Sequence, residues 1–80
     1  MNTIEFWTVE NTGWSGGVSW FKTGGTDANP LRFMTYTPAL DYATRRKNEL
    51  NQPTTLWRIV HTTIVREKNK EVITREWQQI

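Results

Sequence analysis

Few side chains in this chain are equipped for chemistry. His61 is the one histidine, there is no cysteine, and the eight carboxylates show no close spacing that would force two of them together. A histidine is a candidate general base, but catalysis also needs a nucleophile or metal and a group that orients the base. No thiol is present, and a single histidine without cysteine cannot build a Cys/His zinc site. His61 sits inside a β-branched, apolar run, where the simpler reading is a core or half-buried histidine with a satisfied hydrogen bond. The expectation is a non-enzymatic protein with no catalytic residue, no metal and no cofactor.

Two glycine clusters could cradle phosphate through backbone N–H groups. Neither Gly13-x-x-Gly16-Gly17 nor Gly24-Gly25 carries a phosphate-binding signature or leads straight into a helix, so both read as loop connections. Trp14 lies among Gly, Ser and Asn, away from any apolar period. It either folds back as a plug on the core or stands exposed as a contact residue. Arg45-Arg46-Lys47 is the one basic triplet. With Lys22, Arg58, Arg66, Lys68 and Lys70 it makes a candidate phosphate-tracking surface, on which Trp14 and Trp20 could stack bases. Asp41, Glu49, Glu67 and Glu71 lie between these bases, which favours a solvated helix face with intrahelical pairs.

The element that positions most of these groups is Leu56 to Val65. It is rich in β-branched and aromatic residues and contains no Gly or Pro, which marks a central strand. Before it, Thr3–Val9 reads as a first strand and Val18–Lys22 as a second, paired as a hairpin through the turn cluster 11–17. Leu31–Tyr36 reads as a short extended lead-in. A helix is expected from Pro38 to about Leu50, with Thr37 as N-cap and Pro38 in the first helical position. Leu40, Ala43, Lys47 and Leu50 form its stripe, Asp41–Arg45 and Arg45–Glu49 pair on the far side, and Asn51-Gln52-Pro53 ends it.

Glu71–Trp77 reads as a fourth strand. A three-residue loop, Glu67-Lys68-Asn69, with Asn69 left-handed, puts Ile73, Arg75 and Trp77 on the face of Trp57, Ile59, His61 and Val65. An even-numbered loop reverses that pairing. In the first register the opposite face shows Arg58, Val60, Thr62, Ile64, Thr74 and Glu76, joined by Ile4 and Phe6 or by Glu5 and Trp7. The order ββαββ then gives an α+β two-layer fold: a four-stranded antiparallel sheet of order 2-1-3-4 with one helix on one face.

Eighty residues make a single domain, 1–80, whose small core must draw on the five tryptophans. No stretch approaches the ~20 apolar residues of a membrane span. Met1-Asn2-Thr3-Ile4-Glu5 has no basic or apolar leader pattern, so a cytoplasmic protein is expected. The net charge of +2 is unevenly spread: residues 1–30 sum to −2 and residues 31–80 to +4. That asymmetry hints at a basic face.

Arg32-Phe33-x-Thr35, then Ala39, Tyr42-Ala43 and Trp57-Arg58-Ile59-Val60 form a pattern that resembles small open reading frames of phages and other mobile elements. The resemblance spans residues 32–60. It implies a small accessory protein that binds a host or phage component, as inhibitors of host defence and transcription do, acting in the host cytoplasm. It assigns no residue a role.

The first expectation is therefore a protein-interaction protein working by surface complementarity. Its partner is another protein or a second copy of itself, met through the open sheet face or a sheet edge. The alternative is a small single-stranded nucleic-acid-binding module using the basic helix face and exposed tryptophans. The candidate contact residues are Trp14, Arg45, Arg46, Arg58, Val60, Thr62 and Ile64, and no membrane contact is expected.

Overall fold

A computed structural model describes residues 2–13, 19–26, 29 and 31–80. Its elements are β1 (Asn2–Asn11), β2 (Phe21–Lys22), α1 (Tyr36–Leu50), β3 (Trp57–Glu67) and β4 (Lys70–Gln79). The strands form one antiparallel sheet of order β2-β1-β3-β4. This is the expected α+β arrangement, with β3 central between β1 and β4. No helix among the described residues is long and apolar enough to cross a membrane.

The helix packs on β1 and β3. Val9, Ala39, Ala43, Trp57 and Ile59 form the buried cluster, with Trp7, Phe33, Tyr36, Leu40, Tyr42 and Ile80 against it. Ala39 and Ala43 are the helix residues that face the sheet fully. Their small side chains leave room for Trp57, the largest fully buried side chain. Leu50, expected on the buried stripe, is exposed.

Helix α1 begins two residues earlier than the sequence suggests, with Thr35 rather than Thr37 at the N-cap and no side-chain cap. The chain is delivered there by the lead-in segment: Trp7 and Phe33 exchange two backbone hydrogen bonds of 2.8 Å. Starting at Tyr36 lets that ring join the core. Pro38 then lies in the first turn, where backbone N–H groups have no helical acceptor and its lack of one costs little. At the other end Asn51 takes the left-handed conformation (φ 45°) and donates its N–H to Lys47, closing the helix as expected. The pair on the solvent side is Arg46 with Glu49 at 2.9 Å, not Asp41–Arg45 or Arg45–Glu49.

Two strands differ from expectation. Of the stretch 18–22, Phe21 and Lys22 pair with Asn11 and Glu10, Ser19 and Trp20 lie outside the strand, and Val18 is outside the described residues. The β3–β4 connection is two residues long, not three. Glu67 pairs with Lys70, and Lys68 rather than Asn69 is left-handed (φ 40°). A one-residue difference in a turn turns every side chain of the following strand over. Ile73, Arg75 and Trp77 therefore lie opposite Ile64, Thr62 and Val60, on the face away from the helix. Thr74 and Glu76, expected on that open face, lie on the helix side opposite Thr63 and His61.

Candidate functional site

The open face is best described as rows running across β1, β3 and β4. In order they are Asn2–Arg66–Glu71, Ile4–Ile64–Ile73, Phe6–Thr62–Arg75, Thr8–Val60–Trp77 and Glu10–Arg58–Gln79. The pairing brings Ile4 and Phe6 to this face and sends Glu5 and Trp7 to the helix side. An alternating strand normally offers one face to solvent. Here the middle of that face is closed: Val60 is 0 % exposed, and Phe6, Thr8, Glu10 and Thr62 are buried.

Long side chains from the margins lie over parts of this face. The Arg32 guanidinium carbon lies 4.2 Å from the Phe6 ring centre. The Arg58 guanidinium carbon lies 4.2 Å from the ring centre of Trp20 and 5.0 Å from that of Trp77. Beneath them Glu10 is 4 % exposed and holds two arginines. Its Oε1 accepts from Arg58 Nε at 2.8 Å and lies 2.7 Å from Arg58 Nη2. Its Oε2 accepts from Arg75 Nη2 at 3.0 Å. A carboxylate that fills both oxygens with charge-assisted bonds holds its partners in fixed positions.

Trp77 is an exposed ring beside this cluster, 62 % exposed and directly across from the buried Val60. Two rows away the isoleucines form a second apolar element, with Ile4 39 % and Ile73 55 % exposed. Arg66 and Glu71, paired at 2.8 Å, bound it at the hairpin end.

The sequence-derived candidates divide accordingly. Arg58 and Ile64 reach the open face partly exposed, whereas Val60 and Thr62 lie on it but are covered. Arg45 and Arg46 are on α1, away from this face, and Arg46 is engaged with Glu49. Trp14 lies outside the described residues. Missed by sequence were Glu10, Arg75 and Trp77. Their convergence depends on two strand registers that no local pattern reports.

His61 is on the helix side, at the rim. Its ring stacks on Trp7 (centroids 4.2 Å apart, 1° between planes), and its Nε2 is 3.1 Å from Glu5 Oε2. It is the half-buried histidine with a hydrogen-bond partner that the sequence suggests. Among the described residues no three His, Asp or Glu side chains are grouped as a metal site requires.

Of the two glycine clusters, Gly24 has a specific packing role. It has φ +88°, and a Cβ there would lie 2.7 Å from Leu31 Cδ2 and 3.0 Å from the Tyr42 hydroxyl. The loop is pressed against the helix rather than held open for a ligand.

Comparison of the chain with protein-family models, curated proteins and solved structures gives no significant match.

Proposed function

We propose that this is a non-enzymatic interaction protein that binds another protein through the sheet face opposite its helix. The observation that carries the reading is Trp77, a large aromatic left 62 % exposed while fixed beside Arg58. Binding energy at interfaces concentrates in such aromatic and arginine anchors, above all where they are already ordered before the partner arrives. The Ile4–Ile64–Ile73 row supplies apolar area on the same face. In this reading the protein is an accessory factor or inhibitor of the kind small phage reading frames encode, acting on a component of the host cytoplasm. The resemblance over residues 32–60 supports that choice of class.

A second reading is favoured by the charge of the same face. Lys22, Arg32, Arg58, Arg66 and Arg75 outnumber Glu10 and Glu71 there, and Trp20 and Trp77 lie among them. Aromatic rings with arginines on an open sheet suit single-stranded nucleic acid. On this reading the sheet, not the basic triplet of α1, is the contact surface. Fluorescence titration with an oligonucleotide at physiological salt separates the two. The protein-binding reading expects only weak, salt-labile association, and binding well below micromolar would reverse the order.

A further inference from the structure

The outer edge of β4 carries a relationship that the face alone does not. Every residue from Lys70 to Gln79 is exposed, and the pairing with β3 runs without a bulge from Glu67↔Lys70 to Arg58↔Gln79. Antiparallel ladders alternate between pairs that exchange both hydrogen bonds and pairs that exchange none. The Ile80 N–H donates to the Trp57 carbonyl at 3.0 Å, which sets the phase. It follows that the even-numbered residues of β4 bond to β3, and that the N–H and C=O groups of Glu71, Ile73, Arg75 and Trp77 point outward. The side-chain hydrogen bonds from α1 reach Gln78 of β4 (from Tyr36) and Ile80 just after it (from Lys47), beyond this stretch. A long edge without a bulge or proline is a template for another strand.

We propose that the strand it takes is β4 of a second copy of this chain, paired antiparallel about a two-fold axis at Ile73. A two-fold contact must be self-complementary, and the charges of β4 select the register. Residues 70–76 read Lys-Glu-Val-Ile-Thr-Arg-Glu, a pattern whose charges invert about Ile73. With the axis there, Glu71 faces the partner's Arg75 and Lys70 faces the partner's Glu76, each pair occurring twice. Moving the axis to Thr74 sets Glu71 against the partner's Trp77 and Ile73 against the partner's Arg75. Moving it to Arg75 opposes two guanidinium groups. Opposite charges directly across strands stabilise a pair and like charges weaken it.

Apolar continuity selects the same register independently of charge. The row Ile4–Ile64–Ile73 ends at the open edge. Through an axis at Ile73 it continues into the partner's Ile73, Ile64 and Ile4, so two short rows become one across a continuous sheet. Glu71, Ile73 and Arg75 of each copy together form about six backbone hydrogen bonds across the edge. An interface of this size is at the small end of specific contacts, so a dissociation constant on the order of 10 μM is expected. The proposal goes beyond the partner-binding reading, because the edge is occupied by the chain itself whether or not the face binds another protein.

The test is sedimentation of the full chain between about 1 and about 500 μM, a range that brackets that constant. Wild type is expected to shift from monomer to dimer. Lys70→Glu alone, or Glu76→Lys alone, opposes like charges twice and is expected to weaken the dimer roughly tenfold or more. The double variant Lys70→Glu/Glu76→Lys restores the pairs and is expected to recover wild-type association. Neither side chain makes a hydrogen bond or ion pair with another described residue, and melting curves check that each variant folds. Ile73→Pro supplies an independent arm: it removes an outward N–H while sparing the bonds to β3, and abolishes the dimer. A wild type that stays monomeric throughout overturns the proposal and leaves the edge to a strand from a different protein. A dimer indifferent to the single reversals, or one the double reversal fails to restore, overturns it equally. None of these results depends on a partner protein being found.

Discussion

Arg58 lies directly across the sheet from Glu10 and grips one of its carboxylate oxygens with two nitrogens, at 2.7 and 2.8 Å. Arg75 takes the other oxygen, so one buried acid on β1 ties together β3 and β4. Removing it leaves a mostly covered Arg58 with no counter-charge.

Glu10→Ala is therefore expected to cost about 2–3 kcal/mol, below the ~3–5 kcal/mol of a fully buried pair because Arg75 remains half in water. It also frees Arg58 to leave Trp77. Urea denaturation measures the first effect. A midpoint equal to wild type would mean that the acid contributes nothing to the roof of the open face.

Trp57→Ala removes the largest fully buried side chain, between β3 and the two alanines of α1. The expected loss is about 3–5 kcal/mol, set against the ~5–10 kcal/mol typical of a small domain. The variant should be partly unfolded at room temperature by circular dichroism. A native spectrum with an unchanged melting temperature would contradict the packing described here.

Gly24→Ala adds a methyl group at φ +88° and into contact with Leu31 and Tyr42. Strain and overlap together are expected to cost about 1–3 kcal/mol. A thermal melt measures the loss, and a melting temperature equal to wild type would show that packing at Gly24 is unimportant.

Val60→Lys and Ile64→Lys separate the covered from the open part of one face. Val60 is 0 % exposed, so an ammonium there is buried and the fold should be lost or weakened by several kcal/mol. Ile64 is partly exposed and a lysine there can reach water, so that variant should fold with a loss of about 1 kcal/mol. Similar melting temperatures for the two would contradict the burial of Val60.

The last contrast marks where sequence reading reached its limit. The β-branched run of β3 announced a central strand, and Asn51-Gln52-Pro53 announced the end of α1, because both signals are local. Strand order followed from the sequence of elements. The face of β4 did not, since it hangs on whether Lys68 or Asn69 takes the left-handed conformation, and residue preference favours Asn. Nor did the burial of Val60 and Thr62 on the face away from the helix, which no alternation within β3 reports. The grip of Glu10 on two arginines is legible only once both registers are known.

Partner capture by the immobilised protein from cell lysate, with and without nuclease, bears most directly on the proposed function, with wild type, Trp77→Ala and the helix variant Arg45→Ala compared side by side. All three should fold, since Trp77 and Arg45 are exposed, and melting curves verify it. The expected result is a protein retained equally by wild type and Arg45→Ala and at least roughly tenfold less by Trp77→Ala, the loss that truncating an aromatic anchor brings. Equal recovery with Trp77→Ala, or recovery that nuclease treatment abolishes, would contradict a protein-binding surface built on the open face.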